Sequence, residues 1–395
     1  MRTILLTLLS LSLSIFLTAQ VTYSNEILAS AQSGNPEGQF QMGMCLQDGL
    51  GIAKDLPKAV EWYTLAAQQG HPGARNNLGF CYFNGMGIQQ DKKEAFKWFR
   101  LAANQGVVTS QFSLALCYFN GEGVSQNLPE AVKWYQMAAD NGHAPAQYNL
   151  ARCYYEGTGV TQNKPEAMRW FRMAADQNHI KAINDLAWCY KNGEGTAPDL
   201  EAAANIYAKG AALGDPYAQY NLGLCYANGE GVRQSSVEAL KYFRQAAEKQ
   251  HPEAHYRIAQ AYLKGDGTPK DIVKAEEWLL SAAELGHREA QYILGRMYFD
   301  GDQLNENQVE GAKWLLRAAD QGHTLAQYDI GNCYAFGEGV PENAYEAFFW
   351  FSLAAANGET DAEQARNLMA SLFTAQDIDN ILQRAEAWFS RHYAE

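Results

Sequence analysis

The chain has 395 residues, 47% of them hydrophobic and 19% charged, with a formal net charge of −13. That apolar share excludes a disordered chain. The acidic balance makes a poor nucleic-acid ligand and favours solubility.

The N-terminus reads "MRTILLTLLSLSLSIFLTAQ". One charge, Arg2, precedes an apolar run from Ile4 to Leu17, and the small residues Thr18 and Ala19 follow. This is the three-part pattern of a secretory signal peptide, expected over residues 1–19. The run is short for a permanent membrane span, so an uncleaved anchor is the alternative reading. No cysteine follows it, which argues against a lipid anchor. The expected mature chain is periplasmic or secreted, with no stable membrane insertion after cleavage.

Beyond this segment one element recurs. Gly-x-Gly signals begin at Gly49, Gly85, Gly121, Gly157, Gly193, Gly229, Gly265, Gly301 and Gly337, each 36 residues after the last. The second glycine is kept except where Gln303 replaces it. Self-similarity at such a period signals a solenoid of supersecondary units. Before each loop, residues such as Ala74, Leu78 and Tyr82 repeat at spacings of four, one stripe of a helix. After it, Ala59, Trp62 and Ala66, then Ala95, Trp98 and Ala102, mark a second helix. Each unit therefore reads as helix A, a Gly-x-Gly loop, helix B and a short return. A helix precedes each glycine pair, so the pair reads as a left-handed helix stop. A phosphate loop would need a preceding strand.

The stretch "AQYNLGLCYANGEGVRQSSVEALKYFRQAA", Ala218 to Ala247, resembles the Sel-1-like repeat, a relative of the tetratricopeptide repeat. The resemblance covers essentially the whole chain after residue 19. It implies an all-α fold, a right-handed α-solenoid of helix-turn-helix units that serves as a scaffold for protein–protein contact. The expected organisation is a signal peptide over 1–19, then a solenoid over 20–359. The solenoid holds nine 36-residue units behind an N-terminal half repeat, and capping helices fill 360–395. In that terminal region Thr374 and Asp377 suggest a helix start close to a capping box.

All seven cysteines share one slot, from Cys45 and Cys81 to Cys333. Equivalent helices lie about 8–10 Å apart, whereas a disulfide needs Cα atoms within about 7 Å. Buried free thiols are therefore expected. A cysteine-rich branch of the family carries two cysteines per repeat, and its link to penicillin binding or β-lactam hydrolysis does not carry over to this pattern. Six histidines also share a slot: His71, His143, His179, His251, His287 and His323. One per return loop points to capping and packing, with a charge favourable to a helix C-terminus. "HPEAH", His251 to His255, places its glutamate one position off the zinc motif. No metal and no cofactor are expected. No G-x-S-x-G, S-x-x-K, K-T-G or G-x-x-x-x-G-K appears. The chain is read as non-enzymatic.

In tetratricopeptide arrays helix A lines the concave surface. Mapped onto this sequence, one slot carries Phe112, Tyr148, Tyr220 and their equivalents, a regular aromatic that suits packing between repeats. The next two turns vary among repeats. They supply the candidate partner-binding residues Phe80, Phe83, Phe119, Arg152, Tyr155, Trp188, Lys191 and Arg296. Aromatics and arginine are common interface anchors. The expected partner is a protein or peptide, with no nucleic acid. The competing functions are a cell-wall or β-lactam-directed hydrolase and a binder of envelope or host glycoproteins.

Overall fold

The computed structural model describes residues 21–301 and 306–393. The expected signal peptide and Gln303 lie outside them. Among the described residues all regular structure is helical. A short helix α1 (Asn25–Gln32) precedes nine helix pairs. The first four are α2 (Pro36–Asp48) with α3 (Leu56–Gln68), α4 (Pro72–Asn84) with α5 (Lys92–Asn104), α6 (Val108–Asn120) with α7 (Leu128–Asp140), and α8 (Ala144–Glu156) with α9 (Lys164–Asp176). Then come α10 (Ile180–Asn192) with α11 (Leu200–Ala212), α12 (Pro216–Asn228) with α13 (Ser236–Ala247), and α14 (Pro252–Lys264) with α15 (Ile272–Glu284). The last two are α16 (Arg288–Asp300) with α17 (Gln308–Asp320), and α18 (Thr324–Phe336) with α19 (Ala344–Ala356). The chain ends in α20 (Thr360–Met369), a 3-10 turn (Ala370–Leu372) and α21 (Ala375–Tyr393). It divides into two compact units, up to Leu186 with Glu194–Thr196, and Ala187–Gly193 with Ala197 onward. Within each unit, helix pairs pack on the pairs before and after them.

Positions within each helix are counted from its first residue. Helix A buries positions 3, 7 and 10, as in Ala74, Leu78 and Cys81. Helix B buries positions 4, 8, 11 and 12, as in Ala95, Phe99, Ala102 and Ala103. The ring at position 8 is the buried aromatic of helix B: Tyr63, Phe99, Tyr135, Phe171, Tyr207, Phe243 and Phe351 are all core residues. The tryptophan slot of the sequence stripe, one position earlier, is mixed: Trp62, Trp98 and Trp134 are half-buried, whereas Trp170, Trp314 and Trp350 are buried. The ring lies against position 8 of helix A, where only a small residue fits. A Cβ on Gly79 would stand 2.6 Å from the Phe99 ring, and one on Gly223 2.6 Å from that of Phe243.

The Gly-x-Gly pair has two separate jobs, seen at Gly121 and Gly123. Gly121 ends α6 with φ +73°, its N–H donating to the Cys117 carbonyl at 3.0 Å. This is the left-handed stop that the sequence suggested. Gly123 is a packing contact. A Cβ there would lie 2.0 Å from the carbonyl oxygen of Lys92, the first residue of the preceding helix B. Loop and helix start must touch for consecutive repeats to dock. Helix B then starts from an Asx or Ser cap, such as Asn127, whose side chain accepts the Glu130 N–H at 3.2 Å.

At the N-terminal end, Tyr23 N–H donates to Leu50 O at 2.9 Å, and Gly51 faces Thr22. The segment before α2 thus occupies the place that a preceding helix B start takes elsewhere. At the C-terminal end, Thr374 and Asp377 form the reciprocal capping box: Asp377 N–H donates to Thr374 Oγ1 at 3.2 Å, and Thr374 N–H to Asp377 Oδ2 at 3.0 Å.

Two substitutions separate the two glycine roles. Gly121→Ala should cost about 1 kcal/mol of left-handed strain. Gly123→Ala adds a collision with backbone and should cost a further ~1–3 kcal/mol. Urea unfolding of both variants checks the order, and equal losses would contradict the docking role of the second glycine.

Candidate functional site

Helix A positions 5, 9 and 12 fall on one face, and all eight candidate residues stand at position 9 or 12. In the first unit Phe80 meets Phe99 edge-on at 5.0 Å between centroids. Phe83 is 7% exposed and lies 6.2 Å from the same ring, with the Lys92 ammonium 5.3 Å above it. It is a core residue, and burial removes it from any contact surface. Phe119 lies 6.2 Å from Tyr135, and Tyr155 lies 6.5 Å from Phe171; both are half-buried. These rings pad the helix A–helix B seam of their own repeats.

The two arginines are clamped alike. Arg152 pairs with Glu156 one turn on and, at 3.8 Å, with Asp185 of the next helix A. Arg296 pairs with Asp300 at 2.9 Å and with Asp329 at 3.1 Å. In each case one partner is four residues on and the other 33. Each arginine thus ties successive helices A together. Burial pushes the Asp185 and Asp329 carboxyls up, and the arginines pull them down. Lys191 pairs with Glu230 at 2.7 Å, which holds that carboxyl below its ordinary range. Trp188 differs from the other aromatic candidates: it is 45% exposed. No single cluster gathers all eight residues. Phe80, Phe83, Phe119, Arg152 and Tyr155 belong to the first unit, and Trp188, Lys191 and Arg296 to the second.

The regular aromatic at position 5 is a packing group, as its periodicity suggested, and its partner is the recurrent histidine. Tyr148 stacks on His179 at 4.8 Å, Tyr220 on His251 at 4.8 Å and Tyr292 on His323 at 4.2 Å. Except at His251, which makes no cap hydrogen bond, the histidine caps the N-terminus of the helix A that follows it, rather than the C-terminus of the helix B before it. Nδ1 accepts a backbone N–H three residues on, from Ala74 to His71 at 3.1 Å and from Ala146 to His143 at 3.2 Å. An accepting Nδ1 carries no proton, so each cap requires the neutral ring with its proton on Nε2. At His71, His287 and His323 that nitrogen meets a glutamate of the preceding repeat at 3.0–3.1 Å: Glu37, Glu253 and Glu289. The device joins cap, stack and hydrogen bond in one side chain. The sequence expectation of capping and packing is met, and the helix that is capped is the following one. Asp215 fills the slot once and caps Ala218 N–H at 2.8 Å.

The "HPEAH" histidines also take structural roles. His255 Nε2 lies 3.0 Å from Ala247 O, and His251 stacks on Tyr220. Among the described residues, no group of three His, Cys, Asp or Glu could hold a metal ion. All seven cysteines are buried and free at position 10 of helix A. Burial pushes the thiols of Cys81, Cys117, Cys153 and Cys333 up to about 12, far from a nucleophilic range.

Family comparison agrees with this geometry. The Sel1 repeat model matches nine consecutive segments, 36–71, 72–107, 108–143, 144–179, 180–215, 216–251, 252–287, 288–323 and 324–359. The chain belongs to the Sel1 repeat family. One similar structure is c5321, described as a protective antigen of uropathogenic Escherichia coli strains with an SLR fold. It is 28% identical, with a TM-score of 0.63 over 93% of this chain and 86% of that one. A Sel1 repeat protein from Oxalobacter formigenes is 31% identical, with a TM-score of 0.53 over 62% of this chain and 96% of that one. No curated protein matches the sequence. The Sel1 repeat is a scaffold that suits protein contact, and no described helix is long and apolar enough to cross a membrane.

Two measurements test the conserved geometry of this Sel1 chain. Thiol titration should find seven groups after denaturation without reductant and few before it; recovery of an even number fewer would mean disulfides. The second concerns pH. Burial first, then the His179 charge, pushes His143 down from 6.5 to about 4, and burial first, then Lys181, does the same to His179. A depressed histidine leaves stability intact above its unfolded value. As pH falls from 6.5 towards 4, the unfolded chain takes up protons that the folded chain refuses. Melting temperature should therefore fall through that window as the pH is lowered from 7. His143→Asp, which copies the Asp215 cap, should reduce the slope.

Proposed function

We propose that the chain is an exported, non-catalytic scaffold that binds a protein or peptide on its helix A face, with Trp188 as an anchor. One observation carries the reading: Trp188 leaves 45% of its surface in water at a position where Leu116 is 8% exposed. A large ring left in water gains most by meeting something. Lys191, one turn on and paired to Glu230, places charge beside it. The aromatic slots Phe80, Phe119 and Tyr155 contribute surface rather than anchors, since each already packs on helix B. Export rests on residues 1–19. The absence of a catalytic constellation rests on the structural occupation of the histidines, cysteines and arginines just described.

The test is a paired measurement of partner binding and thermal unfolding, using the mature chain as bait on an exported fraction and then the recovered partner. Trp188→Ala should weaken binding by ~1 kcal/mol or more and leave the melting temperature nearly unchanged. Arg152→Ala should behave differently. It leaves Asp185 without its cation, so it should lower the melting temperature. A sharp loss of melting temperature in Trp188→Ala, with binding per folded molecule unchanged, would return that residue to the core.

A further inference from the structure

Position 10 of helix B shows a pattern that packing inside the repeats does not explain. In the first four repeats it holds Leu65, Leu101, Met137 and Met173, and these are 44%, 39%, 43% and 36% exposed. All four lie in the first unit. In the next four repeats the same position holds Lys209, Gln245, Ser281 and Arg317. There the position is polar throughout, with Arg317 exposed and Lys209, Gln245 and Ser281 half-buried. In the ninth repeat it is apolar again, and there it is covered. Leu353 is fully buried in one apolar cluster with Ile381, Ala385 and Trp388 of α21.

α21 shows how this face is covered. Ile381, Ala385 and Trp388 recur at spacings of four and three, the contact stripe of an amphipathic helix. Arg384, beside them, pairs with Glu346 at position 3 of α19 at 2.6 Å, and its guanidinium lies 3.9 Å from the Phe349 ring at position 6. The second, third and fourth repeats carry the same acid at position 3, Glu94, Glu130 and Glu166, as do the sixth and eighth with Glu238 and Glu310; the first carries Lys58 there. Glu94, Glu130 and Glu166 are each paired with a cation at position 6, Lys97, Lys133 or Arg169. Exposed pairs at this spacing contribute little and exchange readily.

We propose that the outer face of helices B in repeats one to four is a docking seat for an amphipathic helix of a partner protein. Its contact stripe is aliphatic and tryptophan-bearing, as in α21, and it carries an arginine for the position 3 glutamates. The occupant is not the chain's own α21, which is held on repeat nine at the high effective concentration of an intramolecular segment. The seat lies on helix B and is independent of the helix A reading above.

The probe is a labelled peptide of residues 375–393, titrated by fluorescence anisotropy into the full chain. The comparison chain carries the residues of repeats five to eight at the four positions: Leu65→Lys, Leu101→Gln, Met137→Ser and Met173→Arg. The peptide should bind the native chain saturably and this variant at least tenfold more weakly, with both chains melting at the same temperature. Trp188→Ala should leave peptide binding unchanged. A peptide with Ile381→Ala and Trp388→Ala should fail to bind. No saturable binding, or equal affinity for the variant, overturns the proposal. So does sedimentation showing a native dimer and a variant monomer, which would make the face an interface between copies.

Discussion

The stack depends on one contact, the ring of helix B pressed against a small residue of helix A. Tyr63 on Gly43, Phe99 on Gly79, Phe243 on Gly223 and Phe351 on Gly331 leave no room for a Cβ. Where the small residue is alanine, as at Ala115 and Ala151, it is equally buried. This contact sets how closely the two helices of a repeat approach. The alanines at positions 4, 11 and 12 of helix B then pack beside the ring, and the alanine, leucine and cysteine of helix A close the other side. Solenoid units of this kind cannot bury their faces alone, so each depends on its neighbours.

Contacts between repeats share this apolar core, as where Ala66 and Ala67 cluster with Ala74 and Leu78, and add other material. They use the second glycine, whose backbone touches the previous helix B start, and the histidine that caps one helix while stacking on the aromatic of the repeat before. They also use arginine or lysine bridges such as Arg296 to Asp329 and Lys92 to Glu122. Apolar burial within the repeat gives affinity between its helices. Polar and steric matching between repeats fixes register. The two kinds of contact explain why so many slots repeat at one step: a repeat must satisfy both a partner helix and a neighbouring unit with the same residues.

The repeat, its helical class and the buried cysteine slot were legible because they rest on period and spacing alone. Positions 7 and 8 of helix B were not distinguishable that way. Ala59, Trp62, Ala66 and Ala59, Tyr63, Ala66 are both helical stripes, and tryptophan looks like the better core residue. What decides is the depth of the groove opposite, set by Gly43, and a one-dimensional reading does not see that glycine beneath the ring. The histidine slot was legible as a cap and a packing group, and only the helix end it serves was not. A residue between two helices can serve either end, and only the direction of Nδ1 towards the next helix settles it. At the candidate positions exposure sorted the members, which sequence variation alone could not do: Phe83 is 7% exposed and Trp188 45%.

Variability in a repeat array therefore carries meaning only against a structural control, and the array supplies its own. At position 9 of helix A, Leu116 shows what a packed side chain does there and Trp188 departs from it. At position 10 of helix B, Lys209 to Arg317 show a polar choice even where the side chain is half-buried, and Leu353 shows what a covering helix selects. Leu65 to Met173 match the covered case while lying open. In both places the anomaly is a large apolar side chain more exposed than its packed equivalent, Leu116 or Leu353. A rigid array can present such positions on helix A and on helix B separately, because the seam between the helices is already closed by the ring at position 8. Changes on either outer face then leave the stack intact, and recognition can vary from repeat to repeat without disturbing the fold.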